Sequence, residues 1–140
     1  MQIGNYNFVC TCSACPEQYD VFDKDGTQVG YVRLRWGSLT AEYPDVGGMC
    51  IYDAHIGDGW SGCFQSEKQR MTHLKNIANA INVCASPIEC PYCGHGHTIT
   101  EDIFEDHVFS GRIGIDCDSC GRFFTVRHDR KGQRTYTRYG

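Results

Sequence analysis

Two cysteine pairs with the same local sequence constrain the end of this chain more than any other feature. They are Cys90-Pro91-Tyr92-Cys93-Gly94 and Cys117-Asp118-Ser119-Cys120-Gly121. A Cys-x-x-Cys turn directs two thiolates toward one point, and the glycine that follows lets the backbone fold beneath the sulfurs. Two such turns placed face to face form a closed tetrahedral cage, so the pattern predicts a metal site with Zn²⁺ as its occupant. Its ligands are Cys90, Cys93, Cys117 and Cys120.

On these two knuckles, CPYCG and CDSCG, the segment from Cys90 to Tyr139 resembles the zinc-ribbon family. The resemblance covers roughly the last third of the chain and implies a small three-stranded sheet clamped by the two turns. Rubredoxin-like proteins hold iron with the same knuckles, so iron is the alternative metal. Four protein ligands leave no open coordination position, and we therefore expect a structural site that performs no chemistry.

Length and cysteine usage bound the organisation of the chain, which has 140 residues, 10 cysteines and a formal net charge of −4. We expect two small domains, a sheet-plus-helix domain over residues 1–86 and a zinc ribbon over residues 87–140, because Pro87 disfavours helix at Ser86. The opening MQIGNYNFVC lacks the basic and apolar regions of a signal peptide. Together with the metal-type cysteine spacing, this predicts reduced thiols and a cytoplasmic protein.

Alternation of apolar and polar residues predicts four antiparallel strands before residue 56. Their ranges are Tyr19–Asp23, Val29–Trp36, Leu39–Tyr43 and Met49–His55. Ser66 and Gln69 form a capping box that starts a helix, and its apolar stripe ends near Asn82. The predicted fold is therefore α+β: an antiparallel four-stranded meander plus one helix, followed by a three-stranded zinc ribbon.

Three N-terminal segments, CPEQYDVFDKDG, VGYVRLRWGSLTAEYPD and FQSEKQRMTHLKNIANAI, are similar to a small module in uncharacterised proteins of phages and mobile elements of Gram-positive bacteria. This resemblance implies a mobile-element origin and carries no known catalytic residue. Metal-containing phage proteins of this size include inhibitors of host CRISPR nucleases. The resemblance therefore also implies an anti-CRISPR role as a hypothesis.

The charge is divided unevenly along the chain. Residues 1–109 hold six Lys and Arg against fourteen Asp and Glu, whereas residues 110–140 hold seven against three. The acidic segment 101–106, expected to lie in a loop of the ribbon, could bind a basic groove that normally accepts phosphate. This favours a non-catalytic interaction protein that binds and inhibits or modulates a host nucleic-acid-processing protein, such as a CRISPR nuclease.

The C-terminal hairpin supports an alternative function. We expect ribbon strands at Gly111–Cys117, Arg122–His128 and Gln133–Tyr139, joined after the second strand by a turn. Basic and aromatic side chains alternate there and could track phosphates and stack on bases, as in a nucleic-acid-binding ribbon of the transcriptional-regulator type. The basic set is Arg127, Arg130, Lys131, Arg134 and Arg138. The bland interpretation is a solvated hairpin whose Phe123 or Phe124 packs over the knuckles.

Other candidate ligands are less specific. Cys10, Cys12 and Cys15 are close in sequence, and a second metal site would need a further ligand from elsewhere in the fold. Otherwise Cys50 and Cys84 are expected to be small buried apolar residues. We expect His95 and His97 to be exposed beside the first knuckle and not to be ligands. No nucleophile with a base, carboxylate pair or phosphate-binding loop is specific enough to name, so we expect no enzyme.

Overall fold

The computed structural model describes residues 1–12, 16–57, 62–129 and 132–139. The chain divides into two compact units, Met1–Ile81 and Asn82–Gly140. Neither helix in these described ranges has both the length and the apolar character needed to cross a membrane.

The first unit is built on one antiparallel sheet whose six strands follow chain order. They are β1 (Gln2–Ile3), β2 (Tyr6–Cys12), β3 (Gln18–Phe22), β4 (Gln28–Arg35), β5 (Ser38–Tyr43) and β6 (Met49–His55). Strands β3 to β6 match the four predicted strands, but the predicted four-stranded meander is incomplete because β1 and β2 extend the sheet. In β2, Tyr6 and Phe8 are buried while Asn7 and Val9 are exposed, which is the period-two pattern of a half-buried strand.

Helix α1 (Glu67–Cys84) begins at the predicted capping box. The Ser66 hydroxyl accepts a hydrogen bond from the Gln69 N–H at 3.1 Å, and the Gln69 side chain accepts one from the backbone N–H of Gln65 at 2.8 Å. One face of the helix is buried, and a Cβ placed on Gly30 of β4 would lie 3.1 Å from Ile81 Cδ1. The apolar stripe of α1 therefore packs against the sheet, as the sequence predicts.

A buried carboxylate connects the start of β3 to α1. Glu17 is 7% exposed and accepts hydrogen bonds from the Arg70 guanidinium at 2.8 and 3.1 Å and from the Tyr19 hydroxyl at 2.7 Å. The backbone N–H of Phe64 donates to the same carboxylate at 3.1 Å. Burial alone would raise the pKa of Glu17, but the hydrogen bonds from Arg70 and Tyr19 outweigh it and lower that pKa. The carboxylate is therefore ionised and fully engaged.

The second unit contains five strands and one helix. They are β7 (Ile88–Glu89), β8 (Gly96–His97), α2 (Glu101–Ser110), β9 (Arg112–Asp116), β10 (Phe123–His128) and β11 (Arg134–Arg138). Strands β7 and β8 pair with each other, while the other three form an antiparallel sheet in the order β11-β10-β9. The α+β class and the three-stranded sheet agree with the prediction.

Helix α2 replaces the loop that the acidic segment was expected to form. The Thr100 hydroxyl caps its N-terminus by accepting from the Ile103 N–H, and Gly111, with a φ of 72°, ends it. Glu101 and Asp102 lie in the first turn, where the helix dipole favours negative charge. The protein therefore has two helices in the described residues, not the single helix that was predicted.

Candidate metal centre and ribbon face

The two cysteine knuckles fold in the same way. In each, the N–H of the trailing glycine donates to the carbonyl oxygen of the first cysteine at 2.8 Å, Gly94 to Cys90 and Gly121 to Cys117. Both glycines have left-handed backbone, with φ values of 79° and 75°. A side chain at either position would be strained, so the trailing glycine is what allows each turn to close beneath its sulfurs.

The four sulfur atoms have the spacing of a metal site. Cys90 Sγ lies 3.8 Å from Cys120 Sγ, Cys93 Sγ lies 3.6 Å from Cys117 Sγ, and all four lie within 4.8 Å of one another. Sulfurs around a tetrahedral ion with bonds of about 2.3 Å lie about 3.8 Å apart, whereas a disulfide needs about 2.05 Å. The four cysteines predicted as ligands are therefore close together and could hold a metal ion.

The electrostatics of the cluster also call for a cation. Desolvation opposes ionisation of Cys90, but the backbone N–H groups of Cys93 and Tyr92 outweigh it and lower the pKa of this thiol to about 7. At Cys120 the Arg122 N–H favours the thiolate, yet desolvation and the other three sulfurs raise the pKa to about 11. Four thiolates in contact repel one another, so full ionisation of the cluster requires a divalent cation between them.

The neighbouring histidines do not join this cluster. Within the described ranges, the four cysteines are the only group of three or more candidate ligands close enough to share a metal ion. His95 is exposed as expected, but His97 is only partly exposed because it lies in β8, with its ring centroid 6.1 Å from that of Phe124. The expectation that both histidines are exposed is therefore wrong for His97.

The prediction of a second cysteine site stays untested at one residue, since Cys15 lies outside the described residues. Cys10 Sγ donates to the Cys12 carbonyl oxygen at 2.9 Å. Cys84 is buried, and desolvation raises its pKa to about 12, whereas Cys50 is exposed. Cys84 thus behaves as the small apolar residue that was expected, and Cys50 does not.

One face of the three-stranded sheet forms an open, positively charged surface, here called the ribbon face. Arg127 on β10 lies directly opposite Arg112 on β9, and Thr125 lies opposite Gly114. A shallow cavity of about 510 Å³ covers this surface. Its lining residues are Ser110, Arg112, Gly114, Phe123, Thr125, Arg127 and Tyr139. The alternate residues of the same strands, such as Ile113 and Val126, are buried.

Two aromatic rings lie on the ribbon face beside the arginines. Phe123 is 43% and Tyr139 47% exposed, and their ring centroids are 5.5 Å apart with planes inclined by 31°. A Cβ on Gly114 would approach the Phe123 ring to 3.1 Å, so the missing side chain at Gly114 lets this ring lie across β9. Phe124, by contrast, is fully buried. The two phenylalanines therefore divide between the open surface and the core.

The arginines of the ribbon face have no acidic partner. Like charges directly opposite one another in a sheet are destabilising, and neither Arg112 nor Arg127 forms an ion pair with any described residue. An anionic ligand would relieve this repulsion. Arg112 was missed in the sequence, although the alternation of Arg112 and Gly114 with Ile113 and Ile115 could have placed it on the open face.

The other basic residues predicted to bind nucleic acid have different roles. The Arg134 guanidinium donates to the carbonyl oxygens of Val83, Ser86 and Pro87 and to the Nε2 atom of His128, so it is a structural residue. Arg138 pairs with Phe124 in the register and so lies on the opposite side of the sheet from Arg127. Arg130 and Lys131 lie outside the described residues.

Helix α2 exposes two apolar side chains beside its acidic residues. Phe109 is 95% and Val108 69% exposed. Four carboxylates on the same helix are also exposed, those of Glu101, Asp102, Glu105 and Asp106. An exposed phenylalanine among acidic side chains is the composition of a surface that contacts another protein.

No family model matches this chain, and neither does any curated protein or solved structure with which it was compared. The comparisons give no support to a mobile-element origin or to an anti-CRISPR role, and both stay predictions from sequence. What the protein binds has to be inferred from its own residues.

Proposed function

We propose that this chain is a non-catalytic binding protein whose zinc ribbon presents its ribbon face to single-stranded nucleic acid. One observation carries the proposal: Arg112 and Arg127 lie opposite each other beside the exposed rings of Phe123 and Tyr139. Guanidinium groups pair with phosphate oxygens, and aromatic rings stack on bases of any sequence. The two kinds of group are adjacent on one open surface, as recognition of a single strand requires.

A single strand suits this face better than a duplex. Stacking on Phe123 and Tyr139 needs an unpaired base, because bases within a duplex stack on one another. Duplex DNA also has the higher charge density, which disfavours approach by a chain with a net charge of −4. The locally unpaired arginines can follow one phosphate backbone without bringing the rest of the molecule against a second.

We assign Zn²⁺ to the four-cysteine cluster, with a structural role. Closed four-thiolate sites of this kind are most often zinc sites, and four protein ligands leave no position for water or substrate. Iron in the same cage would be redox-active and would absorb visible light. We expect the purified protein to be colourless and to contain zinc by elemental analysis. A coloured protein that contains iron would exclude the zinc assignment while leaving the ribbon face intact.

Charge reversal on the ribbon face tests the proposed ligand. We expect Arg112→Glu/Arg127→Glu to abolish binding of a fluorescent thymidine oligonucleotide, measured by anisotropy at several salt concentrations. In the unmodified chain these two contacts should contribute about 1.4 to the slope of log affinity against log salt, at about 0.7 per phosphate. Lys68→Glu/Lys75→Glu on the exposed side of α1 makes the same change in net charge and serves as the control.

Position on the sheet, and not charge alone, should decide the result. Arg138→Glu alters the charge of the same module from the other side of the sheet, so it should weaken binding less than Arg127→Glu. Equal effects of Arg127→Glu and Arg138→Glu would show a diffuse electrostatic attraction to the hairpin. Unchanged binding by Arg112→Glu/Arg127→Glu would exclude the ribbon face.

A protein ligand is the second candidate function, and the exposure of Phe109 favours it. An acidic helix with an exposed phenylalanine fits a basic, nucleic-acid-handling protein, which is the partner that the charge distribution of the sequence favours. Such a partner should be retained in a pull-down after nuclease treatment and lost with Phe109→Ser. Val46→Ser removes another exposed apolar side chain, 63% exposed in the first unit, and should have no effect. Recovery of no partner after nuclease treatment would exclude this function.

A further inference from the structure

The first unit carries its own arginine-aromatic surface at the turn between β4 and β5. Arg33 and Arg35 lie on β4 opposite Thr40 and Ser38 of β5, and Trp36 follows directly. These five residues line an open cavity of about 230 Å³, here called the hairpin site. Guanidinium, hydroxyl and indole groups therefore converge within one hairpin.

The backbone at Trp36 is unusual. Strand β4 ends at Arg35 and β5 starts at Ser38, so Trp36 and Gly37 alone make the turn, with φ values of 55° and 71°. Two left-handed residues are typical of the tight hairpin turns that favour Asn-Gly, whereas a bulky side chain is disfavoured at the first of these positions. Trp36 is 59% exposed, so core packing does not offset the strain. Strained, exposed positions of this kind are typical of binding sites.

The charges at the hairpin site favour an anionic ligand. Neither Arg33 nor Arg35 forms an ion pair within the described ranges, and the Arg35 guanidinium lies 5.9 Å from the Trp36 ring centroid. Asp53 lies opposite Thr40 on β6 and limits the basic surface on that side. Phosphate can accept from the arginines and the hydroxyl groups, while an indole is suited to stacking on a base.

We propose that the hairpin site is a second contact site for single-stranded nucleic acid, with a phosphate group at Arg33 and Arg35 and a base on Trp36. This inference rests on the proposed function of the ribbon face, because it assigns the same class of ligand to the first unit. Two sites on one chain raise the affinity for strands long enough to reach both of them. Long oligonucleotides should therefore bind more tightly than short ones by more than their number of sites predicts.

Intrinsic fluorescence tests the hairpin site directly. The chain has two tryptophans, Trp36 and Trp60, so Trp60→Phe leaves Trp36 as the only indole. A thymidine oligonucleotide should quench its emission as it binds. Adding Arg33→Glu/Arg35→Glu should weaken this binding about five-fold or more, the lower limit for loss of one stacked base. Lys68→Glu/Lys75→Glu makes the same change in net charge and should retain the quenching.

The outcomes separate the hairpin site from the ribbon face. If Arg112→Glu/Arg127→Glu abolishes binding while Trp36 is not quenched, the hairpin inference is wrong and the ribbon face stands. If Trp36 is quenched and Arg112→Glu/Arg127→Glu has no effect, the ribbon proposal fails instead. Equal quenching by polyglutamate at the same charge concentration would identify an acidic polypeptide as the ligand and overturn the inference. Should Trp60→Phe not fold, the salt slope of Arg33→Glu/Arg35→Glu in the otherwise unchanged chain decides: a slope equal to that of the control overturns it.

Discussion

The hydroxyl of Tyr92 holds the backbone of Tyr139. It accepts a hydrogen bond from the Tyr139 N–H at 2.6 Å and donates one to the Tyr139 carbonyl oxygen at 2.8 Å. Tyr92 lies inside the first cysteine knuckle, and Tyr139 lines the ribbon face beside Phe123. One side chain therefore joins the metal centre to the proposed binding surface, so the order of the knuckle should influence the position of the aromatic rings.

Removing this hydroxyl tests the connection. We expect Tyr92→Phe to lower the free energy of unfolding of the ribbon by about 1 kcal/mol, the usual net contribution of a hydrogen bond. Oligonucleotide affinity should fall as well, because Tyr139 loses its anchor. Chemical denaturation and anisotropy measure the two effects, and Tyr31→Phe on β4 removes a hydroxyl outside the ribbon as a control. Loss of stability without loss of affinity would show that Tyr139 is not part of the binding face.

Metal removal should unfold the ribbon selectively. In so small a module the energy of metal binding is largely folding energy, so chelation should expose the amides of residues 88–139 to hydrogen exchange before those of the first unit. Cys93→Ser/Cys120→Ser should have the same effect, whereas Cys50→Ser, at an exposed cysteine outside the cluster, should not. Persistence of the protected ribbon in Cys93→Ser/Cys120→Ser would contradict a structural metal site.

The position of the Phe123 ring depends on Gly114. A Cβ at this residue would lie 3.1 Å from the ring, closer than ordinary packing, so Gly114→Val should displace it. We expect Gly114→Val to weaken oligonucleotide binding by more than Thr135→Val, an exposed substitution on the neighbouring β11. Anisotropy titrations compare the variants, with zinc content measured as a check on folding. Equal affinities would indicate that Phe123 does not contact the ligand.

Local patterns in the sequence predicted those parts of the fold that local chemistry determines. Alternation around Val32 and Leu34 identified β4, the capping box at Ser66 located the start of α1, and the two knuckles brought four cysteines together. Helix α2 was missed because its acidic composition suggested a solvated loop, although Thr100 and Gly111 are helix-capping residues. Cap signals were therefore more informative there than polarity.

Long-range contacts explain the remaining errors. Arg134 was assigned to a binding surface because it is a basic residue in a basic hairpin. Its guanidinium instead satisfies carbonyl groups of Val83, Ser86 and Pro87, which are 47 to 51 residues away in the sequence. Composition cannot distinguish an arginine that satisfies buried carbonyls from one that awaits a phosphate. The face on which each arginine lies becomes clear only from the strand register.

The ion pair between Arg70 and Glu17 should be important for the first unit. Arg70→Ala leaves a buried carboxylate without its cation, which we expect to cost about 3–5 kcal/mol. Glu67→Gln removes the exposed second partner of Arg70 and should change stability by less than about 1 kcal/mol. Denaturant titration of both variants measures the difference. Similar stabilities would show that solvent or another donor compensates for the loss at Glu17.

Acid should destabilise the second unit through His128. Burial, with a smaller contribution from the nearby charge of Arg134, lowers the pKa of His128 from 6.5 to about 4 in the folded protein. The unfolded chain therefore binds more protons between these values. The contribution to stability is complete above pH 6.5 and is lost as the pH falls toward 4, by up to about 3 kcal/mol. Burial lowers the pKa of His107 too, and its ring centroid lies 5.1 Å from that of His128.

His128→Gln provides the test, because an amide oxygen can still accept from Arg134 but does not titrate. We expect this variant to lose less stability than the unmodified chain between pH 6.5 and pH 4, measured as the change in denaturation midpoint. Protonation of the cysteine ligands at low pH affects both proteins alike, so the difference between their slopes isolates the imidazole. His55→Gln, at an exposed histidine in β6 of the first unit, should retain the slope of the unmodified chain. Identical slopes for His128→Gln and the unmodified chain would show that His128 is not held neutral by burial.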